Sequence, residues 1–207
     1  MRKFIIFILI FSSFVLGIAV SIMLQQKQHL LSDHTLAFTP ARSLPDFQLL
    51  DHTGQNVGNE ILEGQWSLLF FGFTNCPDVC PNTLSLLKNL QSRIKNPEHN
   101  PQIVLVSVDP MRDTPEKMQA YVSSFKTNII GLTGELHKIQ VLTDFLGVAY
   151  AYNALPDGSY TVDHTAAVFV LNPDGEYAGI YTGNLAAPNA LETLADDYRI
   201  ITETKYP

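Results

Sequence analysis

The sequence predicts an α/β domain with a central mixed sheet, preceded by one N-terminal transmembrane helix. Three observations lead there. The near-continuous apolar runs Trp66 to Phe73 and Ile103 to Val108 have the composition of strands buried on both faces. Segments of helical spacing follow each of them, so strand and helix alternate. Met1-Arg2-Lys3 is followed by Phe4 to Leu24, a run of 21 residues without a charge.

At about 1.5 Å rise per residue that first run can cross a hydrocarbon core of about 30 Å. Arg2 and Lys3 set its N-terminus in the cytoplasm and the remainder outside the cytoplasmic membrane, on the periplasmic face. A cleaved signal peptide is the competing reading, but Gly17-Ile18-Ala19 is a weak match to its small-x-small site and lies inside the apolar run. The expected organisation is an anchor at 1–24, a tether at 25–41 and a folded domain at 42–207. Without Arg2 and Lys3, 11 basic residues stand against 20 acidic ones, a net charge of −9 on the exported part. Such a surface disfavours nucleic acid and anionic lipid.

Along the domain, Pro45 to Gln55 reads as a short strand running into a turn with Gly54 at its tip. Trp66 to Phe73 is the first buried strand. Leu84, Leu87, Leu90 and Ile94 then recur at helical spacing until Pro97 and Pro101 end the helix. Ile103 to Val108 is the second buried strand. Thr114 and Pro115 are an N-cap and first-turn pair, opening a helix to about Phe125. Gly131-Leu132-Thr133-Gly134 reads as a loop, with Thr133 capping a helix over about 135–146. Thr165 to Leu171 is a third strand, Asn172-Pro173-Asp174-Gly175 a turn, and Glu176 to Thr182 the returning strand. A last helix covers about 188–202.

The chain's two cysteines, Cys76 and Cys80, sit directly after the first buried strand, at the opening of the helix. This is the thioredoxin-like arrangement. A spacing of four puts both side chains on one helical face, one turn apart. The helix dipole favours thiolate there, and Pro77 and Pro81 stiffen the loop. A disulfide between them would close a short loop and stabilise little, so a reactive or ligating pair is the better reading. Asp78 stands at the helix N-terminus as a capping residue. Thiolates select Cu(I), whereas zinc takes four ligands, so the histidines matter. His29 and His34 fall in the tether, and His52, His99 and His137 read as solvated surface residues. His164, in Val162-Asp163-His164-Thr165, starts a buried strand at the sheet end that carries the cysteine loop. Its position leaves a metal ligand and a hydrogen-bonded loop histidine both open.

Four motifs together resemble the Sco (SenC) family, membrane-anchored copper-binding proteins of cytochrome c oxidase assembly. They are Cys76 to Pro81, Val108 to Pro115, Gly131 to Gly134 and Asp163-His164-Thr165. The resemblance covers the anchor and the domain from about Leu44 to Thr202. It implies a thioredoxin-like fold with an inserted hairpin, and one copper ion, as Cu(I) or Cu(II), held by Cys76, Cys80 and His164. Asp109 would stand behind the ligands and orient their neighbours, with a turn carboxylate as the plain alternative.

The function then expected is a metallochaperone that receives copper from a donor protein and passes it to the dinuclear copper centre of an oxidase subunit. The alternative is a thiol–disulfide oxidoreductase that keeps the acceptor's cysteines reduced. The Cys-x-x-x-Cys spacing and His164 count against it. A peroxide-reducing or redox-sensing protein would use Arg112 beside one cysteine, although a cap or a pair with Asp113 accounts for Arg112 more simply.

Overall fold

The computed structural model describes residues 31–205. The expected anchor at 1–24 and the start of the expected tether lie outside the described residues. Among the described residues no helix is long and apolar enough to cross a membrane.

Among the described residues, β1 (Thr35–Arg42), β2 (Leu49–Asp51), β3 (Asn56–Val57) and β4 (Ser67–Gly72) are followed by a helix, α1 (Val79–Arg93). There follow β5 (Gln102–Ser107), α2 (Pro115–Ser123), β6 (Ile129–Thr133) and α3 (Leu136–Leu146). The last part holds β7 (Tyr150–Ala154), β8 (Tyr160–His164), β9 (Val168–Leu171), β10 (Tyr177–Tyr181) and α4 (Ala190–Ile200).

Eight of these strands form one mixed sheet in the order β1-β10-β9-β4-β5-β6-β2-β3. β5 lies parallel to both β4 and β6, while β9 runs antiparallel to β4. Every residue of β4, β5 and β9 is buried. Strands covered on both faces need no polar alternation, which is why these runs are apolar throughout. Phe70, Phe71 and Phe169 are among the largest fully buried side chains, each contributing about 1.5–3 kcal/mol by leaving water. The helix α1 turns Cys80, Thr83, Leu84, Leu87 and Leu90 inward, the three- and four-residue spacing of a core-facing stripe. The Thr114 hydroxyl accepts from the Lys117 amide at 3.4 Å, with Pro115 beginning α2. The Asn172 side chain accepts the amides of Asp174 and Glu176, and Gly175 at φ 74° closes the β9–β10 hairpin. The result is the thioredoxin-like arrangement, with the β7–β8 ribbon as the added hairpin.

Three expectations are corrected. Residues 35–41 are not tether. β1 runs antiparallel to β10, with Thr35 opposite Tyr181 and Ala37 opposite Gly179. The buried Asp197 carboxylate of α4 fixes the approach by accepting from the Ser32 hydroxyl and the Thr35 hydroxyl, both at 2.6 Å. The domain therefore begins well before residue 42. Second, Gly131, Leu132 and Thr133 lie in β6 rather than in a loop. Gly131 answers to packing, since a Cβ there would stand 3.0 Å from Met118 Cε. Thr133 donates its hydroxyl to the Asp113 carbonyl at 2.7 Å and does not cap α3. Third, the strand read from Thr165 begins at Val168.

Candidate metal centre

The end of β4 delivers the chain into the cysteine loop, and a buried carboxylate fixes that loop. Asp113 accepts the Thr74 amide at 3.0 Å, the Thr74 hydroxyl at 2.6 Å and the Ser107 hydroxyl at 2.7 Å. Thr74 stands two residues before Cys76, and Ser107 ends β5. The two parallel strands are thus tied together where the loop begins. The Cys76 amide then donates to the Phe73 carbonyl at 3.3 Å. Its sulfur accepts the Cys80 amide at 3.4 Å in the first turn of α1. Cys76 is half-buried and Cys80 is buried, and both are free thiols.

His164 ends β8 and faces this loop. Its Nε2 lies 3.5 Å from Cys80 Sγ, and its Nδ1 lies 3.1 Å from the Thr165 carbonyl. A carbonyl accepts only, so Nδ1 carries the proton and Nε2 presents its lone pair to the sulfurs. Phe70 and Phe73 meet the imidazole edge-on, with ring centroids at 5.8 and 5.9 Å. Thr165 is fixed in turn, its amide donating to the Ala149 carbonyl at 2.9 Å. The ligand atoms of Cys76, Cys80 and His164 all lie within 4.8 Å of one another. Two metal–ligand bonds of about 2.3 Å span at most about 4.6 Å, so these atoms stand near the separation of ligands sharing one ion. The donor set of two thiols and one imidazole suits a soft ion.

Burial sets the protonation of the two inner ligands. Desolvation, followed by the hydrogen bond with Cys76, pushes the Cys80 thiol far above its ordinary value. That reverses the expectation that the helix N-terminus favours a thiolate at Cys80, because the sulfur lies inside the core rather than in the solvated first turn. Desolvation likewise holds His164 below the ordinary imidazole value, keeping its lone pair free near neutral pH.

The remaining candidates sit elsewhere. Asp78 is exposed, and its carboxylate accepts from the Asn82 side chain rather than from any backbone amide of the first turn. It is neither a capping side chain nor a member of the cluster. Asp109 is fully buried, accepting from Tyr160 Oη at 2.7 Å and from Arg112 Nε. Among the described residues no hydrogen bond joins Asp109 to Cys76, Cys80 or His164. Its reach to the site is indirect: Tyr160 begins the strand that His164 ends. Arg112 pairs with Asp109, not Asp113, and its guanidinium lies 3.8 Å over the Tyr160 ring while Nη1 donates to the Tyr160 carbonyl at 2.8 Å. His52, read as a solvated turn residue, accepts the Gly131 amide at 3.2 Å across β2 and β6. The sequence offers Asp113 only as a partner for Arg112 and within the Val108 to Pro115 motif, not as the clamp on Thr74. The one signal available was a carboxylate directly before the Thr114-Pro115 helix start.

Residues 38–199 match the SCO1/SenC family. A Stutzerimonas stutzeri protein named for copper binding is 36% identical over 154 residues, 74% of each chain. ScoI of Bradyrhizobium japonicum, solved with copper bound, is 34% identical with a TM-score of 0.62, over 76% of this chain and 99% of that one. BsSco, described with a disulfide switch as one of the Sco cytochrome c oxidase assembly proteins, is 26% identical with a TM-score of 0.58, over 78% of this chain and 94% of that one. The match runs through the strands, the cysteine loop and the histidine that together build this site, and the chain belongs to the SCO1/SenC family.

Proposed function

We propose that this protein is a copper carrier of cytochrome c oxidase assembly, anchored in the cytoplasmic membrane by residues 1–24 with its domain on the outer face. In this reading it takes copper from a donor protein and delivers it to the dinuclear copper centre of an oxidase subunit. The observation that carries the reading is the convergence of the ligand atoms of Cys76, Cys80 and His164 within 4.8 Å of one another. Three ligands leave a coordination position through which an incoming thiolate can attack, so transfer proceeds by exchange of one ligand at a time. The copper-bound relative and the family's part in oxidase assembly support the cargo and the destination.

Binding needs two deprotonated sulfurs and a neutral imidazole. The buried Cys80 thiol therefore releases its proton as copper arrives, and the cation offsets the cost of a buried thiolate. Asp113 holds the loop and Thr165 holds the ring, so the site is assembled before the ion enters. Competition titration with a Cu(I) chelator tests this. One tightly held Cu(I) per chain, lost in Cys76→Ser and in Cys80→Ser, is expected; unchanged binding in either variant contradicts it.

A second reading has its own support. Both cysteines are free and lie in one cluster, so they can close a disulfide, and BsSco is described with such a switch. Thiol–disulfide exchange on the acceptor's cysteines would then accompany delivery. Exchange that persists in His164→Ala, with oxidase maturation intact, would move this reading to first place.

A further inference from the structure

The three ligand residues of this site are not equally reachable. Cys80 is 0% exposed. Its sulfur is seated against β4, where Gly72 leaves room for it. A Cβ at residue 72 would stand 3.0 Å from Cys80 Sγ, 3.0 Å from Phe70 Cε1 and 3.2 Å from Leu105 Cδ1. Packing of that density gives a second molecule no path to the sulfur, and gives the sulfur no space to swing outward.

His164 is half-buried, but its ring is fixed. Nδ1 lies 3.1 Å from the Thr165 carbonyl, the edges of Phe70 and Phe73 flank the imidazole, and the residue is paired with Tyr150 across the ribbon. Cys76 differs from both. It is half-buried and lies in the irregular segment between β4 and α1. Its sulfur accepts the Cys80 amide at 3.4 Å, a long contact that a small loop movement would break. A groove of about 410 Å³ opens here, lined by Cys76, Pro77 and Val79 and by Asp163 and His164 of β8. Cys80 does not line it. A molecule entering the groove therefore meets Cys76 and His164, and it meets Cys80 only through the protein interior.

We propose that copper leaves this site in a fixed order, Cys76 yielding the ion first to a thiol that enters along the groove and Cys80 yielding it last. The entering thiol loses its proton and its sulfur bonds to Cu(I), while the bond from Cu(I) to Cys76 Sγ breaks and Cys76 takes up a proton. Copper stays Cu(I) throughout. Cys80 and His164 then share the ion with the acceptor's sulfur. A second acceptor ligand, arriving by the same groove, completes the removal. Because the Cys80 sulfur cannot follow the ion outward, it keeps copper from passing into water between the two steps. The inference deepens the copper-carrier reading and rests on it, and the test separates the two.

The probe is a capped peptide with a single cysteine, which supplies one ligand and so halts the transfer after its first step. Full-length wild-type protein in detergent, reduced and loaded with Cu(I), is mixed with the peptide and examined by native mass spectrometry. A short pulse of N-ethylmaleimide then labels thiols that are not bound to copper, and the labelled cysteine is located after digestion. A complex of protein, copper and peptide is expected, with Cys76 labelled about tenfold faster or more than in the loaded protein alone and Cys80 unlabelled. A complex in which Cys76 stays as protected as before the peptide was added, or in which Cys80 is labelled, overturns the order. So does a loaded protein that forms no such complex. A chain that takes up no Cu(I) refutes the carrier reading and this inference with it.

Discussion

Asp113 accepts both the amide and the hydroxyl of Thr74, at 3.0 and 2.6 Å, across 39 residues of sequence. It is the carboxylate that fixes where the cysteine loop leaves the sheet. Hydrogen bonds to a buried charge contribute about 1.5–3 kcal/mol each. Thr74→Val should therefore lower the unfolding free energy by about 2–3 kcal/mol and weaken Cu(I) binding, although residue 74 touches no ligand. Urea denaturation and chelator competition check the two effects. Full stability with full affinity would show that the clamp does not position the loop.

His164→Ala removes one of three ligands and leaves both thiols. Loss of a residue that merely supports a ligand costs about 10–100-fold in metal affinity, so loss of the ligand itself should exceed that. The Cys76–Cys80 disulfide should still form on oxidation. Chelator competition beside a thiol titration separates the two, and retained high affinity would sink the three-ligand site.

Tyr160→Phe tests the indirect route from Asp109. The variant keeps the ring beneath Arg112 and deletes only the hydroxyl that Asp109 accepts at 2.7 Å. The expected cost is about 1–3 kcal/mol of stability. Copper affinity should fall by about tenfold as the origin of β8 loosens. Affinity unchanged with stability lowered would confine Asp109 to a structural role.

Proton linkage gives a signed expectation. The folded Cys80 thiol lies above its ordinary value of 9.0, so the metal-free domain keeps its stability below that pH and loses it as the pH rises beyond. The folded His164 lies below 6.5, so stability is present above that pH and declines as the pH falls under it. Loading at neutral pH must strip the proton from Cys80, and Cu(I) affinity should rise with pH. Titration in weakly buffered solution should show at least one proton released per copper; none released would contradict a buried thiol at Cys80.

The core strands were legible because they are buried on both faces and carry apolar side chains without interruption. The stripe of α1, the Thr114-Pro115 start and the Asn172–Gly175 turn were legible because each is local chemistry. β1 was not, since it is an edge strand in which only Thr35 is fully buried and Pro40 interrupts the pattern. The β7–β8 ribbon was read only through the family resemblance. Tyr150 is half-buried and the other residues of β7 are exposed, so there is no core alternation to detect. Cys76 and Cys80 announced themselves by spacing. The Asp113 clamp and the Asp109–Tyr160 bond join residues far apart in sequence, and no periodicity records such pairs.

X-ray absorption on the reduced full-length chain loaded with Cu(I), with the copper stoichiometry counted, bears most directly on the copper centre. One copper per chain with two sulfurs and one nitrogen is expected from Cys76, Cys80 and His164. No stable copper, or copper held by two sulfurs alone with no nitrogen, would contradict it.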